Sequence, residues 1–177
     1  MAGLPAAGKS AIAERLASTL ACAVLSVDPV EAAMWRAGVG RDQPTGLAAY
    51  VVVEALAAGQ LALGHDVIID AVNGVEPARE QWRQLAGRTG SALRFIEVRC
   101  SDEAEHRRRL ESRNRPIEGF YEPTWESVQE RRAGFASWHD ERLVLDSIAP
   151  LADNLRLALD HLANRSEAAQ HPQSQAG

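Results

Sequence analysis

Apolar residues recur at helical spacing over residues 9–20, where Ile12, Leu16 and Leu20 stand four apart with alanines between them; the spacing predicts an amphipathic helix. A short apolar run at 22–27, ending in Asp28-Pro29, reads as a strand followed by a helix at 30–37. After a polar loop at 38–46, residues 47–63 form a strongly apolar stretch that stops at Gly64. It contains Glu54 and Gln60 and follows Pro44-Thr45-Gly46, so it reads as a buried helix rather than a membrane span. Residues 65–70 then carry an apolar core, Val67-Ile68-Ile69, ending in Asp70, as expected of a strand covered on both faces of a parallel sheet. The pattern continues with a helix at 77–88, a strand at 92–99, a basic helix capped by Ser101-Asp102-Glu103 and running to about 114, a helix at 124–138, a short strand at 143–145 and a closing helix at 151–163.

Strands alternating with helices at this spacing predict a three-layer α/β domain with a parallel sheet over residues 1–163. Residues 164–177 are polar or small without periodicity and read as a disordered tail. The chain has 177 residues, 46% of them hydrophobic, enough for one core that needs neither disulfides nor a structural metal. Its two cysteines, Cys22 and Cys100, sit in no metal-binding or disulfide framework, and the first twenty residues lack the form of a signal peptide. Both observations point to a reducing, cytoplasmic setting without membrane attachment. A net charge of −5 argues against a protein that coats nucleic acid. Of the 19 basic residues, Lys9 is the single lysine.

That lysine stands in Gly3-Leu4-Pro5-Ala6-Ala7-Gly8-Lys9-Ser10, a full match to the phosphate-binding loop pattern GxxxxGK[ST]. The glycines let backbone N–H groups turn inward around an anion, Lys9 reaches the outer phosphates of ATP, and the Ser10 hydroxyl ligates Mg²⁺. The helix at 9–20 supplies the N-terminus such a loop opens onto. The strand that normally precedes the loop at the centre of the sheet has only Met1 and Ala2 to represent it. Either the natural chain starts upstream, the reading we adopt, or the sheet closes around a vacancy.

Ligands of open parallel sheets bind beyond the carboxyl ends of the strands, which selects Asp28 and Asp70. Asp70 has the form of a metal-holding carboxylate after an apolar run. Asp28 is either a base for an attacking hydroxyl or a helix cap. In the basic run, Arg109 and Arg113 are i,i+4 neighbours whose guanidinium groups can converge on one phosphate, while His106 and Arg107 are expected to face solvent. With the Pro/Gly/Glu-rich loop 116–123, the segment 102–124 reads as a mobile helical lid. Among the aromatic residues, Trp35 is the one assigned to a substrate pocket.

The succession GLPAAGKS, SVD, VIIDAVN, RRRLESR and LVLDS resembles the small P-loop kinases grouped with the AAA-type ATPases, similar to zeta toxin, chloramphenicol phosphotransferase and polynucleotide kinase domains, over residues 3–163. The resemblance implies that Lys9 and Ser10 bind phosphates and Mg²⁺, and that Asp28 activates the acceptor hydroxyl. It further implies that Asp70 and Asn73 lie near metal and substrate, and that Arg109 and Arg113 stabilise the transferred group. Polynucleotide kinases carry an arginine about three residues after the catalytic aspartate, where this chain has Glu31, so a nucleic-acid acceptor is disfavoured. The expected activity is transfer of the γ-phosphate of ATP to a hydroxyl of a small molecule, by a monomer or weak dimer. A nucleotide-sugar or nucleic-acid-end kinase, or a non-catalytic ATP-binding regulatory module, is the alternative.

Overall fold

A computed structural model describes residues 1–113 and 117–163. The expected end of the basic helix at 114 and the tail at 164–177 lie outside the described residues. The elements run α1 (Lys9–Leu20), β1 (Ala23–Ser26), α2 (Val27–Arg36), α3 (Thr45–Ala62), β2 (Val67–Asp70), α4 (Glu76–Thr89), β3 (Phe95–Arg99), α5 (Glu103–Glu111), α6 (Trp125–Ala136), β4 (Arg142–Asp146) and α7 (Leu151–Ala163). β1 pairs with β2 and β3 with β4, both in parallel, with Ser26 opposite Asp70 and Arg99 opposite Asp146.

Met1 and Ala2 join these two ladders. The Met1 amino group donates to the Ile69 carbonyl at 2.7 Å on one side. On the other, Ala2 N–H donates to Ile96 O and accepts at its own carbonyl from Val98 N–H, each at 2.8 Å. The spatial order is therefore β1, β2, Met1–Ala2, β3, β4, and the central strand position is held by two residues.

Helices cover both faces. Ile12 and Leu16 of α1 and Ala158 of α7 pack with Ile96, Val98 and Leu145 on one side. Val53 and Ala57 of α3, Trp82 and Leu85 of α4, and Phe135 and Trp138 form the core on the other, with Phe95 against the edge of Trp138. The side chains of β3 divide accordingly, Ile96 and Val98 to the first core and Phe95 to the second, as the period of two requires. Burying Ile12 and Leu16 contributes roughly 2 kcal/mol each.

Two sequence expectations are corrected. The apolar stretch 47–63 is not a buried helix: only Thr45, Ala49, Val53 and Ala57 of α3 are buried, because α2, α4 and the β1–β2 ladder cover one side of it alone. The strand after α1 stops at Ser26, so Asp28 and Pro29 lie inside the first turn of α2 instead of ahead of it. Proline suits that turn, where its missing N–H has no intrahelical acceptor to serve.

Burial lowers the pKa of the Met1 ammonium from 8.0 to about 6; Asp70 opposes this shift and Lys9 adds to it. Between those values the unfolded chain keeps the proton that the folded chain sheds, so stability is full above pH 8 and is lost as pH falls toward 6. The shift corresponds to about 3 kcal/mol. Extending the chain upstream by roughly six to ten β-forming residues replaces the amine by an amide and completes the strand. Denaturant titrations should show greater stability for the extended chain and a shallower fall between pH 8 and 6; equal stabilities and slopes would contradict the account of the Met1 amine.

Candidate active site

The loop between Ala2 and α1 is shaped by close backbone approach. Gly3 has φ 142°, and a β-carbon there would lie 2.2 Å from the Val98 carbonyl oxygen, so only glycine fits. Gly8 (φ 98°) and Ala6 (φ 62°) also take left-handed conformations, which curl the loop. Gly8 is the N-cap of α1 and makes no side-chain cap bond, so the first N–H groups of that helix stay available to an anion. Lys9 is buried under the loop with its ammonium donating to the Leu4 carbonyl at 3.2 Å.

Beyond the ends of β1 and β2 opens a cavity of about 720 Å³. Its floor is Gly8, Lys9 and Ser10, and its walls include Asp28, Asp70 and Trp35, with Arg109 and Arg113 over them. The Ser10 hydroxyl donates to Asp70 Oδ2 at 2.6 Å across 60 residues of chain. Asp70 Oδ1 is buried and accepts no hydrogen bond. A buried carboxylate oxygen left this way costs several kcal/mol unless a cation meets it. The donor set, one hydroxyl and one carboxylate beside a phosphate-sized cradle, fits Mg²⁺, a hard ion that keeps waters and takes the rest of its shell from substrate phosphates.

α5 reaches the loop and the cavity together. His106, expected to face solvent, is buried, and its Nε2 stands 2.8 Å from the carbonyl of Pro5, which can only accept, so Nε2 donates. Burial lowers its pKa from the usual histidine value, against the raising effect of that bond. One turn on, Arg109 is held by Glu105 at 2.7 Å and donates to Ser147 Oγ at 2.8 Å. α5 ends at Glu111, so Arg113 is not on the same helix face; its guanidinium reaches the cavity from the following turn and lies 3.4 Å from Glu122.

Trp35 stacks on Phe120 with centroids 5.7 Å apart and donates from Nε1 to Thr45 Oγ1. Thr45 in turn donates to Glu31 at 2.8 Å. Arg36 and Arg41 donate to the carbonyls of Glu118 and Gly119, and Arg41 lies 3.5 Å from the centre of the Tyr121 ring, so the loop 117–123 is drawn down onto α2.

Asn73 is outside the cavity lining. It is buried at φ 52°, its Nδ2 donates to Met1 O at 2.9 Å, and its Oδ1 accepts from Trp82 at 2.8 Å. Its backbone N–H donates to Tyr50, whose hydroxyl pKa burial pushes up to about 12. Sequence reading missed His106, Ser147 and Arg131, the last of which also lines the cavity from α6. Ser147 was findable as the residue after β4, and His106 from its i,i+4 spacing to buried Leu110; nothing in the sequence distinguishes Arg131 from its neighbour Arg132.

The family described as AAA domain matches residues 1–136. No curated relative matches the chain. Among solved structures, a gluconokinase from Sinorhizobium meliloti 1021 aligns with TM-score 0.69 at 17% identity, covering 96% of this chain and 95% of that one. Kti12 of Chaetomium thermophilum in complex with ADP-AlF3 aligns with TM-score 0.68 at 20% identity, over 92% and 95% of the two chains. The Mycobacterium tuberculosis APS kinase CysC in complex with AMPPNP and APS aligns with TM-score 0.63 at 18% identity, over 91% and 94%. At these identities the likeness is one of fold. The chain belongs to the AAA domain family and has the α/β fold of the P-loop kinases.

Proposed function

We propose that this protein is an ATP- and Mg²⁺-dependent phosphotransferase that moves the γ-phosphate of ATP to a hydroxyl of a small-molecule acceptor. The observation that carries the reading is the hydrogen bond from Ser10 to Asp70 Oδ2, with Asp70 Oδ1 buried and without a donor beside the loop cradle. Backbone N–H groups of Ala6, Gly8 and Lys9 at the start of α1 hold the β- and γ-phosphates, and the Lys9 ammonium neutralises them. Ser10 and Asp70 would hold Mg²⁺, which would supply positive charge to offset that of the phosphates.

The acceptor enters between α2 and the loop 117–123, against Trp35. Asp28, in the first turn of α2, takes the proton of the acceptor hydroxyl as that hydroxyl's oxygen bonds to the γ-phosphorus. The bond from that phosphorus to the β,γ-bridging oxygen breaks and ADP leaves. Arg109 and Arg113 lie over the cavity where charge builds on the transferred group. The segment 102–124 acts as the lid, and Asn73 supports the site from below by fixing Met1 to Trp82. Glu31, three residues after Asp28, sets a carboxylate at the acceptor end and disfavours polyanionic nucleic acid there.

Mg-ATP at about a hundred times its dissociation constant should stabilise the protein by ~2.7 kcal/mol, a rise of about 5 to 10 °C in the unfolding midpoint. Lys9→Ala should abolish that rise; an equal rise in both proteins would place the nucleotide elsewhere. With labelled ATP and a panel of polyols, sugars and antibiotics as acceptors, Asp28→Asn should bind ATP normally and lose at least about a hundredfold in transfer. Undiminished transfer would remove Asp28 from the mechanism, and nucleotide binding without transfer to any acceptor would favour a regulatory module.

A further inference from the structure

The outer face of α3 carries no polar side chain from residue 47 to residue 63, a length of about 24 Å. A helix on the surface of a protein ordinarily turns polar residues outward, and one that is apolar all round is covered on every side. Here the protein covers one side only. Leu47, Val51, Val52, Leu56 and Leu63 remain 66, 55, 40, 51 and 69% exposed. With the small residues between them they form a patch on the order of 700 Å², above the largest patch of an ordinary monomer and close to one side of a standard interface.

We infer that this face is the contact between two copies of the chain, paired antiparallel through α3 about a twofold axis. Ala48, Val52, Ala55, Gly59 and Ala62 follow one another at alternating spacings of four and three, the repeat of a helix seam, and all are exposed. Small side chains along such a seam let two helices approach closely. With the axis at Ala55, Leu47 meets Leu63 of the second copy and Val51 fills the space over Gly59, so each large residue opposes an apolar or small one. Self-pairing brings no like charges together, because the face has none; Glu54 is turned away toward Arg88, 2.5 Å distant.

Other occupants fit less well. The chain outside the described residues, 114–116 and 164–177, offers only three alanines and two prolines as apolar side chains and cannot fill the patch. α3 is also long and apolar enough by composition to cross a membrane. An interfacial helix, however, carries Lys or Arg beside its apolar face, and α3 has none in a chain of net charge −5. The pairing also bears on the site, since Thr45 at the start of α3 holds Glu31 and Trp35.

Sedimentation equilibrium of the full chain tests this, with Val51→Glu and Leu56→Glu as variants. Both positions are open to solvent in the single chain, so the variants should keep the parent's circular dichroism and thermal midpoint in dilute solution. The parent should sediment at twice 19.2 kDa at tens of micromolar, and each variant at 19.2 kDa, with at least a tenfold weaker self-association. A parent of 19.2 kDa up to several hundred micromolar would overturn the proposal. So would a doubled mass that both variants retain, or flotation of the parent with phosphatidylcholine and phosphatidylglycerol vesicles that Leu56→Glu abolishes, which would assign the face to a lipid surface.

Discussion

The hydrogen bonds that Met1 and Ala2 make on both sides hold this fold together at its centre. They bind Ile69 in one ladder and Ile96 and Val98 in the other, and no regular strand pairing links β2 with β3 directly. The same two residues deliver the chain into the loop 3–8, whose first glycine lies against the Val98 carbonyl. Position of the cradle and closure of the sheet are thus one constraint. Asn73 reinforces it, bridging Met1 to Trp82 on α4, and Arg79 fixes the Asn73 carbonyl in turn.

From that frame the electrostatics of the cavity follow. Ser10 and Asp70 meet because α1 begins where the loop ends and β2 ends one residue from the ladder contact of Met1. One carboxylate oxygen is then satisfied and the other is not, an arrangement whose cost a divalent cation would offset. α5 ties the loop to the basic side of the cavity: His106 grips Pro5 from behind while Arg109, one turn further, faces the opening and Ser147. α5 therefore couples the loop backbone at Pro5 to a cavity arginine through a single helix.

Much of the architecture was legible because its signals are local. The spacing of Ile12 and Leu16, the apolar run into Asp70 and the loop pattern at 3–10 each depend on short stretches of chain. What escaped depends on pairing across the fold. His106 reads as part of a charged face until Pro5 is found beneath it, 101 residues away. The i,i+4 spacing puts Arg113 on one helix face with Arg109, but α5 stops at Glu111. The stretch 47–63 shows apolar character that a sequence cannot assign to an inside or an outside, and α3 proves to be covered on one side only. The resemblance implies Asn73 near metal and substrate; its side chain is taken up by Met1 and Trp82, a use that no local pattern announces.

On the proposed function, Asp70 offers its second oxygen to a metal that arrives with the nucleotide. Paramagnetic resonance of Mn²⁺ titrated into the protein with ATP measures this directly, comparing the parent with Asp70→Asn, which keeps the shape of the side chain and removes its charge. The account predicts an ATP-dependent Mn²⁺ site in the parent and at least about tenfold weaker metal binding in the variant. Equal Mn²⁺ affinity in the two proteins would contradict it.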